Sequence, residues 1–401
     1  MFLHLLKPIW KRKFKNILLS LEILLAFLVV FAVAAFALRY WQLYQLPLGF
    51  TPQAVWSVSI QTDEAGLTGS QAGVAEQFRR TLAAMPEVEQ VAFAGYAPFS
   101  NSTWINQYHQ AGQTRQITAN VMLVSDDFFS LMGMELERGQ WFSAANEGAP
   151  AVVMNRNAAR ALFGEQDPRG KMVSDGDLSG NGRSADQAAM VIGVFDDFRP
   201  NGELMNPVPF VLTRYSPVSD KTMAKTILLK LKPGTPRIFE AKLNAQLKLV
   251  RSDWGYRIAP LSELRHSMLL GQTTPLMILA VIAGFLMLMV AFGLFGVLWQ
   301  NTTQRIPEIG LRRALGAHAG HIYRQIIAEQ LLLSSMAMAV GMVLLVQLPI
   351  TGVFGDSLNW SVFLLASVVS IGLIYALAVV CSLYPAWRAS RLSPTQALHH
   401  E

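Results

Sequence analysis

Four apolar runs divide the chain, at 16–38, 274–299, 326–348 and 360–383. Each is long enough to cross about 30 Å of hydrocarbon as a helix, since about 20 residues at about 1.5 Å each suffice. Between the first and second runs the pattern changes. Alternating or β-rich stretches at Ala54–Ile60, Gln116–Val124, Ala151–Met154, Met190–Phe195 and Thr226–Leu231 predict strands. Helical spacing at Gly73–Ala84, Asp126–Met132, Asn155–Phe163 and Pro236–Val250 predicts helices between them, with Ser125 as an N-cap ahead of Asp126 and Asp127. The expected fold class is a membrane α-helical protein of four transmembrane helices with a large α+β domain inserted between helices 1 and 2. That insert exceeds what one small core usually needs, so two lobes are expected. The predicted segments are 1–38 (N-terminal segment and first span), 39–272 (external domain), 273–300 (second span), 301–325 (connecting region), 326–348 (third span), 349–359 (turn), 360–383 (fourth span) and 384–401 (tail).

Composition agrees with a membrane protein carrying an aqueous domain: 52% of the residues are hydrophobic and 15% charged, and the net charge is +6. The basic excess is local. Lys7, Lys11, Arg12, Lys13 and Lys15 precede the first run, and Arg305, Arg312, Arg313, Arg324, Arg388 and Arg391 flank the others, whereas 349–359 has neither Lys nor Arg. This is positive-inside bias rather than a nucleic-acid face, and it places both termini in the cytoplasm and the insert outside. Phe2–Trp10 reads as an interfacial anchor leading into the first span. Ala32-Val33-Ala34 or Ala35-Phe36-Ala37 could serve as signal-peptidase sites, but the run is longer than the roughly 15 residues of a signal core and carries Glu22, so an uncleaved span is expected. The one cysteine, Cys381, excludes an internal disulfide framework and a Cys-based metal site.

The stretch 305–325, RIPEIGLRRALGAHAGHIYRQ, is charged and sits between two spans. Pro307 suits a first helical position, Glu308 faces the positive end of the helix dipole, Arg312 and Arg313 the negative end, and Gly316 can take the left-handed terminal conformation. Glu308 and Arg312 form an i,i+4 pair in the favourable order. A helix from Pro307 to Leu315 would measure only about 14 Å and must lie at the membrane surface. On the residues alone, two readings stand: a surface offered to a partner, or a connector whose charges meet lipid headgroups.

Three blocks carry a resemblance. The first is Arg305-Ile306-Pro307-Glu308-Ile309-Gly310-Leu311-Arg312-Arg313-Ala314-Leu315-Gly316-Ala317, with Ile322, Gln325 and Glu329 after it. The second is the tail from Tyr384-Pro385-Ala386-Trp387-Arg388-Ala389 through Pro394 to Ala397-Leu398. The third lies in the insert: Val124–Phe129, Arg138-Gly139-Gln140, Val152–Leu162, Phe163-Gly164, Asp167–Lys171 and Val191–Val194. In this order and with four spans they resemble the FtsX/MacB-type ABC transporter permeases, the type VII or mechanotransmission kind, whose external domain is the MacB-like periplasmic domain. The resemblance covers nearly the whole chain. Pro307 departs from it, standing where relatives usually have a basic or other helix-compatible residue, which bears on the role of Arg305.

The resemblance implies a permease subunit of the bacterial inner membrane, not an enzyme by itself, that transmits ATPase motion to its periplasmic domain. The implied coupling site is Arg305, Glu308, Ile309, Gly310, Arg312, Arg313, Ala314, Leu315 and Gly316, with Ile309 and Leu315 as apolar contacts and the charges as a rim. MacB has its ATPase fused ahead of the permease, whereas this chain begins at helix 1 and contains no G-x-x-x-x-G-K-[ST] phosphate loop. No cofactor is therefore expected in this chain, and ATP and Mg are expected on a separate cytoplasmic ABC ATPase. The other implied partners are a second permease, identical or paralogous, membrane lipid, and, for an exporter, a periplasmic adaptor and outer-membrane duct. The expected function is export of a periplasmic toxin, peptide or small amphiphile. The alternatives are lipoprotein or lipid extraction and FtsX-like regulation of a periplasmic enzyme.

Other motifs read as ordinary structure. The segment Asp175–Asp186 alternates acidic and polar residues like a calcium loop, but ends in Asp186 instead of Glu and lies between strands rather than helices, so a polar hairpin loop is expected and no metal site. Glu22, Gln325, Glu329 and Gln330 lie near helix ends, where snorkelling or pairing accounts for them without proton translocation. His318, His321, His399 and His400 form no zinc or catalytic pattern. Gly284, Ala291, Gly293 and Gly296 permit close helix approach, but Gly293-Leu-Phe-Gly296 is not GxxxG and identifies no dimer face.

Overall fold

A computed structural model describes residues 13–62, 73–110, 115–146, 150–175, 188–216, 223–304, 318–353 and 355–391. It contains four helices long and apolar enough to cross a membrane, with a large α+β domain between the first and second. The chain divides into a membrane unit, 1–42 with 273–401, and an external unit, 43–272.

The external unit holds one 11-stranded sheet that divides into two patterns. The first comprises β1 (Val55–Gln61), α2 (Val74–Ala83), β2 (Val88–Ala94), β10 (Thr226–Leu231), α5 (Phe239–Val250) and β11 (Gly255–Pro260). Its strands run antiparallel in the order β11-β1-β10-β2, two interleaved βαβ units of the ferredoxin-like type. Strand β10, TILLKL, is buried on both faces, which explains why it reads as a continuous apolar run. Ile227, Leu229 and Leu231 join Phe78, Leu82, Leu243, Leu247 and Trp254 beneath the two helices, while Leu228 faces a second core with Phe198 and Phe210.

Everything between β2 and β10 is an insertion: β3 (Trp104–Gln110), β4 (Gln116–Val124), α3 (Phe128–Met132), β5 (Leu136–Gly139), β6 (Ala151–Asn155), α4 (Arg156–Phe163), β7 (Met172–Asp175), β8 (Ala188–Phe195) and β9 (Phe210–Arg214). The order β4-β3-β7-β8-β6-β9 returns to β4 through a parallel β4–β9 pairing, so these six strands close on themselves. Closure removes exposed edges, and β2 joins the ring only at Ala94 opposite Val124. Asn155 caps α4 by accepting from Ala158 N at 2.9 Å, and it also accepts from Phe210 N at 2.8 Å. One amide therefore fixes a helix start and a strand start.

Ser125 does not cap α3. Its Oγ accepts from Phe93 N at 2.9 Å, holding β2 to the end of β4, and the helix begins at Phe128 with Asp127 as an N-cap that makes no side-chain bond. A buried unpaired strand amide outcompetes a helix end whose amides can reach water.

In the membrane unit, the helices are longer than the apolar runs. Helix α1 spans Lys13–Tyr44, α6 Leu261–Gln304, α7 Ala319–Leu345 and α9 Trp360–Arg391, with the short α8 (Gln347–Thr351) before α9. At 44 residues α6 is about 66 Å long, twice the hydrocarbon thickness, and it continues through Pro275. The sequence between Leu261 and Gln272 is polar enough to hide its helicity from a span-finding criterion. The shared core is built from Ile23, Phe27, Phe31, Leu294, Ala337, Met338, Phe363 and Ala366. Two glycines set its closest approaches. A Cβ on Gly293 of α6 would lie 2.7 Å from a Glu22 carboxylate oxygen of α1, and one on Gly341 of α7 would lie 2.6 Å from the Phe27 ring.

Candidate coupling site

The predicted coupling residues Arg305, Glu308, Ile309, Gly310, Arg312, Arg313, Ala314, Leu315 and Gly316 lie outside the described residues, as do the lysine cluster at 7–12, the segment 176–187 and the tail from 392. The structure describes what brackets 305–317. The chain leaves at Gln304, the end of α6, and returns at His318, an extended residue (φ −69°, ψ 142°) that precedes α7. Because α7 starts at Ala319, the polar residues His321, Arg324 and Gln325 belong to its first turns rather than to a connector. Gln325 Nε2 donates to Glu329 Oε1 at 3.0 Å, the i,i+4 spacing that lets two polar residues satisfy one another at a helix end. One helical turn farther on, Gln330 and Ser334 are both buried, and the Gln330 amide points to the Ser334 hydroxyl at 3.5 Å.

On the other side, the end of α6 is stacked against α9. Phe295, Trp299, Tyr384 and Trp387 form a continuous aromatic series with centroid separations of 6.1–6.2 Å, and the Trp299 and Tyr384 planes are inclined by only 2°. The Arg388 guanidinium lies 4.2 Å from the Trp299 ring centroid, close enough for a cation–π contact. Phe295, Tyr384 and Trp387 remain exposed, as expected of amphipathic rings at a membrane boundary. The sequence reading missed this series. Its signal was present, since Trp299 closes the second apolar run and Tyr384 directly follows the fourth, but no periodicity shows that the ends of runs two and four stack.

Thus the segment implied to receive a partner enters from a helix braced against α9 and leaves into a helix whose first turns carry paired polar side chains. No group of three or more His, Cys, Asp or Glu side chains placed to hold a metal occurs among the described residues. The external unit has an open groove of about 410 Å³ between α5 and β11, lined by Arg237, Ile238, Glu240, Ala241, Asn244, Tyr256 and Ile258. Burial pushes the Tyr256 phenol up to about 12, so it stays a neutral donor, and it hydrogen-bonds to the carbonyl of Arg251 at 2.8 Å.

Comparison with known proteins gives these parts a family. The FtsX-like permease C-terminal model matches residues 280–394, and the MacB-like periplasmic core domain model matches residues 23–245. A macrolide export ATP-binding/permease protein MacB from Chromobacterium violaceum is 26% identical over 71% of this chain and 44% of its own length. A MacB from Wolinella succinogenes is 24% identical over 80% of this chain and 47% of its own, and a probable export ATP-binding/permease protein from Pseudomonas fluorescens is 29% identical over 70% and 43%. This chain therefore spans less than half the length of these relatives. The crystal structure of the periplasmic region of MacB from Actinobacillus actinomycetemcomitans aligns with a TM-score of 0.40 at 14% identity, over 57% of this chain and 97% of that one. With both halves of the architecture matched in order, the chain belongs to the MacB/FtsX-type ABC transporter permeases, multi-pass membrane proteins with a MacB-like periplasmic domain.

Proposed function

We propose that this chain is the membrane subunit of an ATP-driven exporter in the bacterial inner membrane, with 305–316 as the receiver of the ATPase stroke. Glu308, Arg312 and Arg313 form the polar rim of that receiver, Ile309 and Leu315 its apolar contacts, and Arg305, Gly310, Ala314 and Gly316 its frame. ATP and Mg bind on the ATPase, and this chain supplies motion rather than chemistry. A second permease completes the unit, and the substrate, a small amphiphile or peptide, is handled on the periplasmic side. The spans offer few charges from which to build a hydrophilic pore.

The observation that carries the reading is α6. It is one helix from Leu261, inside the external unit, to Gln304, the residue before the receiver segment. A continuous helix transmits displacement along its axis because every backbone hydrogen bond lies within it. The names of the relatives, macrolide export and export ATP-binding/permease, support export over extraction or regulation. The test is co-purification of the full chain with its ABC ATPase trapped by vanadate. Glu308→Lys puts a positive charge where the sequence predicts the positive end of a short helix, and should abolish recovery of the ATPase. Recovery of the ATPase at the wild-type level with that variant would sink the assignment.

A further inference from the structure

The loop after β8, residues 196–206, gathers contacts from two chain segments far apart in sequence. Arg199 is fully buried. Its Nη1 donates to the carbonyls of Leu43 at 3.0 Å and Glu203 at 2.7 Å, its Nε to that of Pro47 at 2.9 Å, and its Nη2 to that of Leu46. Its backbone N–H donates to Leu48 O at 3.0 Å. Carbonyls at a helix C-terminus lack intrahelical partners and carry the negative end of the dipole, so the end of α1 and the residues after it converge on one cation. Gly49, with φ +83°, lies against the Asp197 carbonyl, where a Cβ would collide, and only glycine lets the two segments run so close.

The same loop holds the start of α6. Glu203, 4% exposed, forms an ion pair with Arg265 in the second turn of that helix. Gln272 Nε2 donates to the carbonyl of Asn201 at 3.2 Å, and Gly202 packs near Met268, which belongs to the core with Phe99 and Phe198. The contacts at Arg199 and at Glu203 are fused, since the Glu203 carbonyl accepts from Arg199 while its carboxylate takes Arg265. Burial of Arg199 lowers its proton affinity, and Glu203 and Asp197 oppose that. A guanidinium this deep is tolerated because carbonyls replace its water, and removing its partners would leave it uncompensated.

We propose that the loop 199–205 is a shared joint that fastens the end of α1 and the start of α6 to the external domain, with Arg199 as the pin and Glu203–Arg265 as the tie. The proposal deepens the reading above, in which these helices carry motion, but the joint itself can be tested without an ATPase. The joint makes Arg199, Glu203 and Arg265 positioning residues: a displacement of either helix reaches the closed ring of strands through a loop that both helices share.

The test is hydrogen–deuterium exchange by mass spectrometry on the full chain in lipid nanodiscs, comparing wild type with Arg265→Ala, Glu203→Gln and Arg199→Lys. Arg265 belongs to α6, yet its loss should speed exchange about tenfold or more at 199–205 and also at 43–48, the end of the other helix, with β1 and β10 unchanged. Arg199→Lys should do the same, because an ammonium cannot reproduce the planar fork. Faster exchange confined to 261–272 in Arg265→Ala, with 43–48 at the wild-type rate, overturns the joint. Should Arg265→Ala loosen the whole domain, the nearly isosteric Glu203→Gln decides: a rise at both helix ends supports the joint, and a wild-type rate at 43–48 refutes it. Failure of the permease reading shows separately, as ATPase recovery unaffected by Glu308→Lys while these exchange results stand.

Discussion

The two units bury polar groups in opposite ways. In the external unit, the buried set includes an arginine and a glutamate, Arg199 and Glu203. In the membrane unit it is neutral among the described residues: Gln330, Ser334, Ser367, Ser370 and Ser382. The difference follows from where carbonyls are spare. At the C-terminal end of α1, in the residues after it and at 199–205, the backbone leaves the regular helix and sheet ladders, so carbonyls there can surround a cation. Inside a transmembrane helix each carbonyl already accepts an i+4 amide, and the most it can add is a hydroxyl. Ser367, Ser370 and Ser382 each donate to the carbonyl of i−4, at 2.7, 2.7 and 2.5 Å. Among the described residues, the external unit therefore places its most deeply buried charges at one loop. The spans rely on close packing with weak polar contacts added.

This contrast ranks substitutions in the spans by steric rather than polar effect. Gly341→Leu should be the more damaging, because its Cβ alone would meet the Phe27 ring at 2.6 Å and Leu24 at 3.1 Å. Forced repacking of this kind costs about 1–3 kcal/mol. Thermal unfolding of the full chain in nanodiscs should show a lower midpoint, together with separation of α1 from α7 reported by a cysteine pair in a Cys381→Ala background.

Tyr375→Phe removes the bond between Tyr375 Oη and Ser335 Oγ, 2.7 Å apart. Ser335 keeps the Leu331 carbonyl at 2.7 Å, so no hydroxyl is stranded. Interhelical polar contacts in membranes average about 0.6 kcal/mol, and the midpoint should shift less than for Gly341→Leu. A larger shift for Tyr375→Phe would break the comparison and make the α7–α9 polar contacts the main adhesive.

How much of this was legible in the sequence depended on whether a pattern was local. The strand Gln116–Val124 and the helix at 156–163 were readable because alternation and helical spacing act within a few residues. Strand β11 was not, since GYRIAP has neither clean alternation nor a turn signal and is held by pairing with β1. The extension of α6 back to Leu261 was hidden because the criterion for a span is hydropathy, and the added turns are amphiphilic. For the proposed coupling site, the candidate residues come from the sequence alone, and the structure adds the aromatic bracket from Phe295 to Trp387. The Arg199 joint was the least legible. Its partners are backbone carbonyls, which have no letter in a sequence, and the only trace was a charged residue in the loop motif Phe198-Arg199-Pro200-Asn201-Gly202-Glu203.

The smallest expected effect sharpens the distinction between a buried charge and a surface one. On α2, Glu76 accepts from Arg79 Nε at 2.6 Å and from Arg80 Nε at 2.7 Å. The Arg79 guanidinium, and after it Arg80, hold the carboxyl down to about 2 against an opposing push from burial. A carboxyl whose folded pKa is depressed contributes stability above its unfolded value of about 4.5, and that contribution disappears as the pH falls toward 2. Both arginines are substantially exposed, so solvent screening keeps the effect to about 1 kcal/mol or less. Asp127 works in the other direction: burial raises its pKa, so acid relieves a cost instead of creating one. Urea unfolding of the external unit in the full chain, followed from pH 5 to pH 2 by pulse proteolysis, should therefore show a shallower acid decline in Glu76→Gln than in wild type. Parallel declines would mean that the triad contributes nothing in solution. A loss in Glu76→Gln at pH 7 as large as that in Arg199→Lys would remove the distinction between the surface of this domain and its joint.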